Sequence, residues 1–476
     1  MRACDIVWGM DELLYASAKQ MAEAIRRKQV SSAELVEAHL RRIEEVNPAL
    51  NAVVYSLADR AREEARQADA ALARGEAVGP LHGVPTTVKE AWESAGIPCT
   101  GGTLGRKGFI GGRDSTVVTR LRAAGAIPLG MTNTPELSMA FESDNLVYGR
   151  TNNPYDLART PGGSGGGGAA IIAAGGAPWE IGADLGGSIR LPAHFSGIAG
   201  IKPTVGRVPM TGYFPPSVGM IQMFCSAGPM ARHAEDLDLT LRFLSGPDGI
   251  DTACAPVPLG DPSAVDIRKL RVAFHTNNGI IPASAETAQT LRSAAKALGD
   301  AGARVEEARP PGIEQSFEIF MATFAADGGS GLRYLLNAVG TTQISAFVEG
   351  LLGTLGPGMS GSEVGALLAR ISQWRSHMLS FLANYDVILA AVNAFPALPH
   401  GGSIEALPAF SYTAAYNLTG WPGAVVRCGT SPEGLPIGVQ AIAHPWREDV
   451  SLAVIRHLET VFGGWQAPDL AQKARA

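Results

Sequence analysis

Lysine is scarce in this chain of 476 residues, with 8 copies against 31 arginines, so a lysine in an apolar setting stands out. Cysteine is sparse too. Cys4, Cys99, Cys225, Cys254 and Cys428 are odd in number, scattered and without CxxC spacing. That argues against a disulfide framework or a zinc site and fits a reducing compartment. The nine histidines form no HExxH pattern and no cluster, so neither a metal nor another cofactor is expected. A formal net charge of −6 leaves no basic surplus for nucleic acid or an anionic membrane surface. No apolar run approaches the roughly 20 residues that a membrane span requires. The first twenty residues, MRACDIVWGMDELLYASAKQ, lack a basic region followed by an apolar core, so no signal peptide is expected. Low-complexity linkers and repeats are missing as well. These absences predict a cytoplasmic protein of one large domain, without nucleic-acid or membrane partners; the sequence leaves open whether it is a monomer or a homodimer.

Glycine, by contrast, numbers 57 and crowds into residues 160–190, TPGGSGGGGAAIIAAGGAPWEIGADLGGSIR. Dense glycine lets backbone N–H groups approach a ligand with no Cβ in the way. Ser164 and Ser188 each follow a Gly-Gly pair and lie 24 residues apart. A helix over Ala169–Ala174 would carry the chain about 9 Å, and a strand over Pro178–Ala183 would return it. The second serine would then sit beside the first. Ile171, Ile172, Trp179 and Ile181 interrupt the run, which a flexible linker would not tolerate.

The first 75 residues read as helices. Ser31-Ser32-Ala33-Glu34 offers a capping box, Val36, Leu40 and Ile43 follow on one face, and Asn47-Pro48 is expected to end that helix. A second, highly charged helix covers Asp59–Arg74. From Gly79 short apolar runs alternate with helical ones (Thr86–Val88, Val117–Ala124, Ala126–Met131), the rhythm of βα units on a parallel or mixed sheet. Leu270–Phe274 and Arg304–Glu307 read as strands flanking a helix over Ala285–Leu298. The predicted organisation is therefore N-terminal helices over 1–75, a catalytic core over 76–311, a variable helical region over 312–380 and a return to the core over 381–476, entered through Asp386–Val392. Within 312–380, apolar helices over Phe317–Ala325, Leu332–Val339 and Val364–Leu379 surround a glycine-rich break at Gly353–Gly361, either a mobile lid or a plain surface connection.

Several motifs fall into one order. Gly83-Val84-Pro85-Thr86-Thr87-Val88-Lys89-Glu90 comes first, then the glycine segment, then Leu191-Pro192-Ala193 and Lys202-Pro203-Thr204-Val205-Gly206-Arg207-Val208-Pro209. Asn417-Leu418-Thr419-Gly420 and Gly434-Leu435-Pro436-Ile437-Gly438-Val439-Gln440 follow. Spanning about residues 30–460, this order resembles the amidase signature family, whose pattern runs roughly PGGSSGGSAA…GTDTGGSIR.PA..CG..G.KPT.GR.P. The resemblance implies the amidase signature fold, an α/β architecture with a central mixed sheet covered by helices on both faces. It implies Ser188 as nucleophile, Ser164 as a bridging serine on a cis peptide bond, and Lys89 as base, with Asp184 and Arg190 in support. Chemistry agrees with these roles. A serine hydroxyl needs a base, the oxyanion needs donors such as the N–H groups of Leu185, Gly186, Gly187 and Ser188, and burial lowers a lysine pKa toward neutrality. Lys202, before Pro203, reads as structural.

The chain departs from the pattern at Gly165 and Gly168, where serines are common, at Ala183 and Leu185 for threonines, and at Ser196 for a cysteine. Gly165→Ser is expected to be tolerated. Gly163–Gly168 also fits the dinucleotide fingerprint GxGxxG, and Gly162–Gly166 the nucleophile elbow GxSxG, but both need a strand directly before them, and Leu157–Pro161 does not read as one.

For the substrate, Leu137, Met139, Phe141, Met220, Ile221, Met223 and Phe224 are expected near Ser188. Phe317, Phe320, Leu351, Leu352 and Leu355 come from the helical region, and Trp421 from the returning segment. That apolar set, with no basic cluster for a carboxylate, predicts hydrolysis of uncharged aryl or alkyl amides, anilides or carbamates (urethanes). The alternative is an amidotransferase of the glutamyl-tRNA type, whose amidase component is a family member that releases ammonia from glutamine within a complex.

Overall fold

The computed structural model describes residues 9–470. The signal-peptide expectation for the first twenty residues, and the outermost ends of the 1–75 and 381–476 segments, fall partly outside that range. Eleven strands form one sheet: β1 (Val53–Ser56), β2 (Pro85–Lys89), β3 (Ile127–Thr132), β4 (Trp179–Asp184), β5 (Ala199–Lys202), β6 (Ser226–Ala231), β7 (Arg271–His275), β8 (Arg304–Glu307), β9 (Val387–Ala391), β10 (Gly423–Thr430) and β11 (Pro436–Ala443). Their order is β1-β3-β2-β4-β6-β5-β10-β11-β9-β7-β8. Parallel pairs β3–β2, β2–β4, β9–β7 and β7–β8 flank an antiparallel centre, so the sheet is mixed. Every residue of β2, β4, β6, β9 and β11 is buried, as strands covered on both faces require. The edge strand β8 carries Arg304, Glu306 and Glu307 outward, charges that discourage pairing with another edge.

Local signals explain most element ends. Ser31 accepts from the Glu34 N–H while the Glu34 carboxylate accepts from the Ser31 N–H, closing the capping box. The helix it starts differs from expectation, running over Ser32–Leu50 straight through Pro48. Pro48 sits in the last turn, where it removes a single backbone bond. Asn47 turns its side chain to the N–H groups of Ala52 and Val53, and Asn51 ends the helix in the left-handed region. In the helical region the helices are Ser316–Ala325, Ser330–Ala338, Ala346–Thr354 and Gly361–Leu382. The glycine-rich break shrinks accordingly, because Gly353 belongs to one helix and Gly361 opens the next. Among the described residues, no helix is long and apolar enough to cross a membrane.

Candidate active site

Lys89 is the last residue of β2 and is fully buried. Strand alternation puts Thr87 and Lys89 on one side of the sheet. The helix Gly166–Ala173 packs there, and Ser164 lies in the glycine loop that leads into it. Lys89 Nζ is 2.6 Å from Ser164 Oγ and 3.1 Å from the Tyr213 hydroxyl. Burial pushes the Lys89 ammonium down to about 7, with the nearby Glu180 charge the main opposing influence. The Gly163–Ser164 peptide bond is cis. No strand precedes this loop, and residues 157–163 are turn and irregular chain apart from a single isolated bridge at Arg159, so the dinucleotide and nucleophile-elbow readings lose the element both need.

Ser188 follows β4 on the turn into the helix Arg190–Phe195. The two serine loops are tied together, the Gly165 N–H donating to the Ser188 carbonyl at 3.1 Å. Ser164 and Ser188 both face a small cavity of about 30 Å³. Beneath them Asp184 and Arg190 form a buried ion pair, with Arg190 Nε 3.0 Å from Asp184 Oδ2. Burial alone would raise the Asp184 carboxyl, but Arg190 and Asn417 hold it down at about 2. Arg190 also reaches Gln440 Oε1, Asn417 Oδ1 and the Thr413 carbonyl. One guanidinium thus clamps the Ser188 turn to the two downstream motifs that the sequence singled out. Of the four expected oxyanion donors, Gly187 is already committed, because its N–H donates to Asp184 Oδ1 at 2.8 Å. Among the described residues, the N–H groups of Leu185, Gly186 and Ser188 show no such commitment.

The departures from the family pattern have spatial reasons. A Cβ at Gly165 would lie 2.7 Å from the Ser188 carbonyl oxygen and 3.1 Å from Met230 Cε. Gly165→Ser is therefore a crowded substitution, contrary to expectation. At Gly168 a Cβ would lie 1.9 Å from Glu180 Oε1. Glu180, on β4, occupies the room that a serine would take. Its Oε2 accepts from Thr87 Oγ1 at 2.7 Å and Thr132 Oγ1 at 2.8 Å, and burial pushes its carboxyl up to about 7. Lys202, at the end of β5, is also buried and pushed down to about 7, but its Nζ donates to the Pro203 carbonyl, away from the serines.

A second, larger cavity of about 240 Å³ opens onto Ser188. Met139, Phe141, Leu185 and Gly186 line it on the core side. Phe320, Met321, Phe324, Phe347 and Leu351 come from the helical region, and Ile404 and Leu407 complete the wall. Among the described residues, no charged side chain lines this cavity. Leu137 and Ile221 face the small cavity instead. Met223 and Trp421 are corrections, for they line a separate cleft with Arg375. Gly420 ends the preceding helix in the left-handed region, and Trp421 packs into a core cluster with Phe224. Leu352 packs with Leu137 and Phe214 rather than on the 240 Å³ cavity, and neither Phe317 nor Leu355 lines it. Sequence reasoning missed Tyr213, Glu180, Phe324, Phe347, Ile404 and Leu407. Glu180 stands within the glycine segment but carries no signal of its own there; the others lie outside the motifs and are placed only by the fold.

The family model Amidase matches residues 34–452. Fatty-acid amide hydrolase 2-A of Danio rerio is 37% identical over 487 aligned positions, covering 96% of this chain and 90% of that protein. Indoleacetamide hydrolase of Bradyrhizobium diazoefficiens is 35% identical, covering 94% of this chain and 86% of its own length. A glutamyl-tRNA(Gln) amidotransferase component of Anaeromyxobacter dehalogenans (strain 2CP-C) is 33% identical, covering 96% of this chain and 98% of its own length. Among solved structures, a bacterial aryl acylamidase of the amidase signature family superposes with a TM-score of 0.85 at 28% identity, covering 94% of this chain and 96% of that one. With the family model spanning most of the chain and the sheet matching solved members, this protein belongs to the amidase signature family and is a hydrolase that acts on amides.

Proposed function

We propose that the enzyme cleaves the C–N bond of uncharged amides bearing an apolar alkyl or aryl group, and of the corresponding carbamates, through an acyl-enzyme on Ser188. Neutral Lys89 takes the proton of Ser164, and Ser164 takes that of Ser188. The Ser188 oxygen then bonds to the acyl carbon while the N–H groups of Leu185, Gly186 and Ser188 receive the oxyanion. The C–N bond breaks as the proton returns along the same route to the leaving nitrogen. Water then adds to the acyl carbon while its proton passes along Ser164 and Lys89 to the Ser188 oxygen, the ester bond to Ser188 breaks, and the acid leaves. One observation carries the substrate reading, the apolar 240 Å³ cavity beside Ser188 with no charged side chain among the described residues of its lining.

The amidotransferase reading draws support from the 33% identity to the glutamyl-tRNA(Gln) amidotransferase component. Glutamine, however, brings a carboxylate and an ammonium, and the lining of this cavity offers no counter-charge to either. Steady-state kinetics on the purified chain decides between them. The proposal expects kcat/KM for an apolar acyl anilide or aryl carbamate to exceed that for glutamine by at least about tenfold, roughly 1.4 kcal/mol of transition-state preference. Glutamine ranking first would overturn it.

A further inference from the structure

Lys89 Nζ has two hydroxyl neighbours, and the Ser164–Lys89 relay accounts for only one. A neutral amine has three directions apart from its carbon, two taken by N–H and one by the lone pair. A base 2.6 Å from its proton donor works only if the lone pair is the direction aimed there. The second neighbour, Tyr213, decides this. Its hydroxyl donates to Ser138 Oγ at 2.9 Å, so toward Lys89, 3.1 Å away, and toward the Ser164 hydroxyl, which also bears on it, it is an acceptor. Ser138 has a further partner in Thr134 Oγ1 at 3.1 Å, which steadies the acceptor end of the chain.

The tyrosine is held in place by groups outside the reaction. Its ring packs edge-on against Trp92 with centroids 4.6 Å apart, its backbone bridges to Trp92, and its N–H donates to the Met210 carbonyl. Burial pushes the phenol well above its ordinary range, so it stays a hydroxyl. The other titratable groups whose charge bears on Lys89 and Tyr213 are Glu180 and Asp184 from β4, Cys225 just before β6, and Cys99.

We propose that Tyr213 is a positioning residue for the base: its hydroxyl accepts one N–H of neutral Lys89 and so turns the lone pair toward Ser164, with Ser138 setting the direction of the tyrosine hydroxyl. The inference rests on the Ser188–Ser164–Lys89 reading above. When the Ser164 proton crosses to Nζ, the lysine becomes an ammonium still bonded to Tyr213, and Tyr213 keeps its own proton throughout.

The test is the rate at which a fluorophosphonate labels Ser188 in the full chain, a readout of serine activation that needs no knowledge of the natural amide. Tyr213→Phe keeps the ring against Trp92 and removes only the hydroxyl. It is expected to slow the maximal labelling rate about 10- to 100-fold while the half-saturating concentration stays within about twofold. Ser138→Ala is expected to slow labelling less. An acceptor stabilises the ammonium, so its loss lowers the Lys89 pKa, and the acid limb of the Tyr213→Phe rate profile should move to lower pH. A ring that serves only packing predicts neither change, and labelling of Tyr213→Phe at the wild-type rate with an unmoved acid limb overturns the proposal. Should Tyr213→Phe fail to fold, wild-type labelling and an unmoved acid limb in Ser138→Ala overturn it equally. Lys89→Ala labelling as fast as wild type would mark a different failure, that of the lysine relay itself, and would remove this inference with it.

Discussion

The floor of the site, built from β2, β4 and the Ser188 turn, is held by charge and hydrogen bonds. The wall contributed by Ser316–Ala325 and Ala346–Thr354 offers mainly apolar side chains to the substrate. On the floor one ion pair, Arg190–Asp184, reaches Gly187, Gln440, Asn417 and Thr413, so each group is located by several partners. On the wall, Phe320 and Phe324 pack edge-on with centroids 5.0 Å apart, a contact that sets no comparable direction. Directional contacts fix geometry, and apolar contacts fix shape and size. Under the proposed function the floor carries the reaction and the wall the choice of substrate, so substitutions on the two should fail differently.

The sharpest break is at Lys89. Lys89→Ala should reduce kcat by about 10²- to 10⁴-fold in a folded protein, the range for losing a positioned base. In the wild type, kcat/KM should fall as pH drops through about 7, because the ammonium that forms there has no lone pair to offer. Activity that held level well below neutral pH would count against a lysine base.

Next comes the ion pair. Asp184→Ala leaves the Arg190 guanidinium buried without its counter-charge, a loss on the order of 3–5 kcal/mol in denaturant unfolding. A change within experimental error would mean that the clamp is not structural. Gly168→Ser should cost about 1–3 kcal/mol by overpacking against Glu180, and Glu180→Ala in the same chain should recover part of it. Independent, additive losses would show that the two positions do not share that space.

The wall should respond in a smaller way. Phe324→Ala is expected to raise KM for an apolar anilide several-fold, on the order of 2 kcal/mol of lost contact at most, with kcat within about twofold. A kcat collapse there would erase the distinction between floor and wall.

The same distinction explains which parts of the molecule are legible in its sequence. Ser188, Ser164, Lys89, Asp184 and Arg190 all stand in glycine-rich or strand motifs, because backbone constraints at a catalytic floor leave local signatures. Strands such as Arg304–Glu307 and the Ser31–Glu34 capping box are legible for the same local reason. Pro48 misleads, because its effect depends on how near the helix end it falls. Gly168 looks like a lost hydroxyl until Glu180, twelve residues on, is placed in the same space. Trp421 is apolar and adjoins a motif, yet the turn at Gly420 sends it to another cleft, where Met223 also lies. Phe324, Phe347, Ile404 and Leu407 converge from segments far apart in the chain, and no spacing rule anticipates that. Tyr213 gives no sign, since its role rests on one hydroxyl contact to a lysine 124 residues earlier.

The central claim is that Ser188, rather than Ser164, carries the acyl group. Mixing the enzyme with an activated apolar aryl ester or anilide, quenching in acid and sequencing the modified peptides by mass spectrometry tests it directly. The account predicts an acyl adduct on Ser188 in the wild type and none anywhere in Ser188→Ala; an adduct on Ser164, or one that persists in Ser188→Ala, would contradict it.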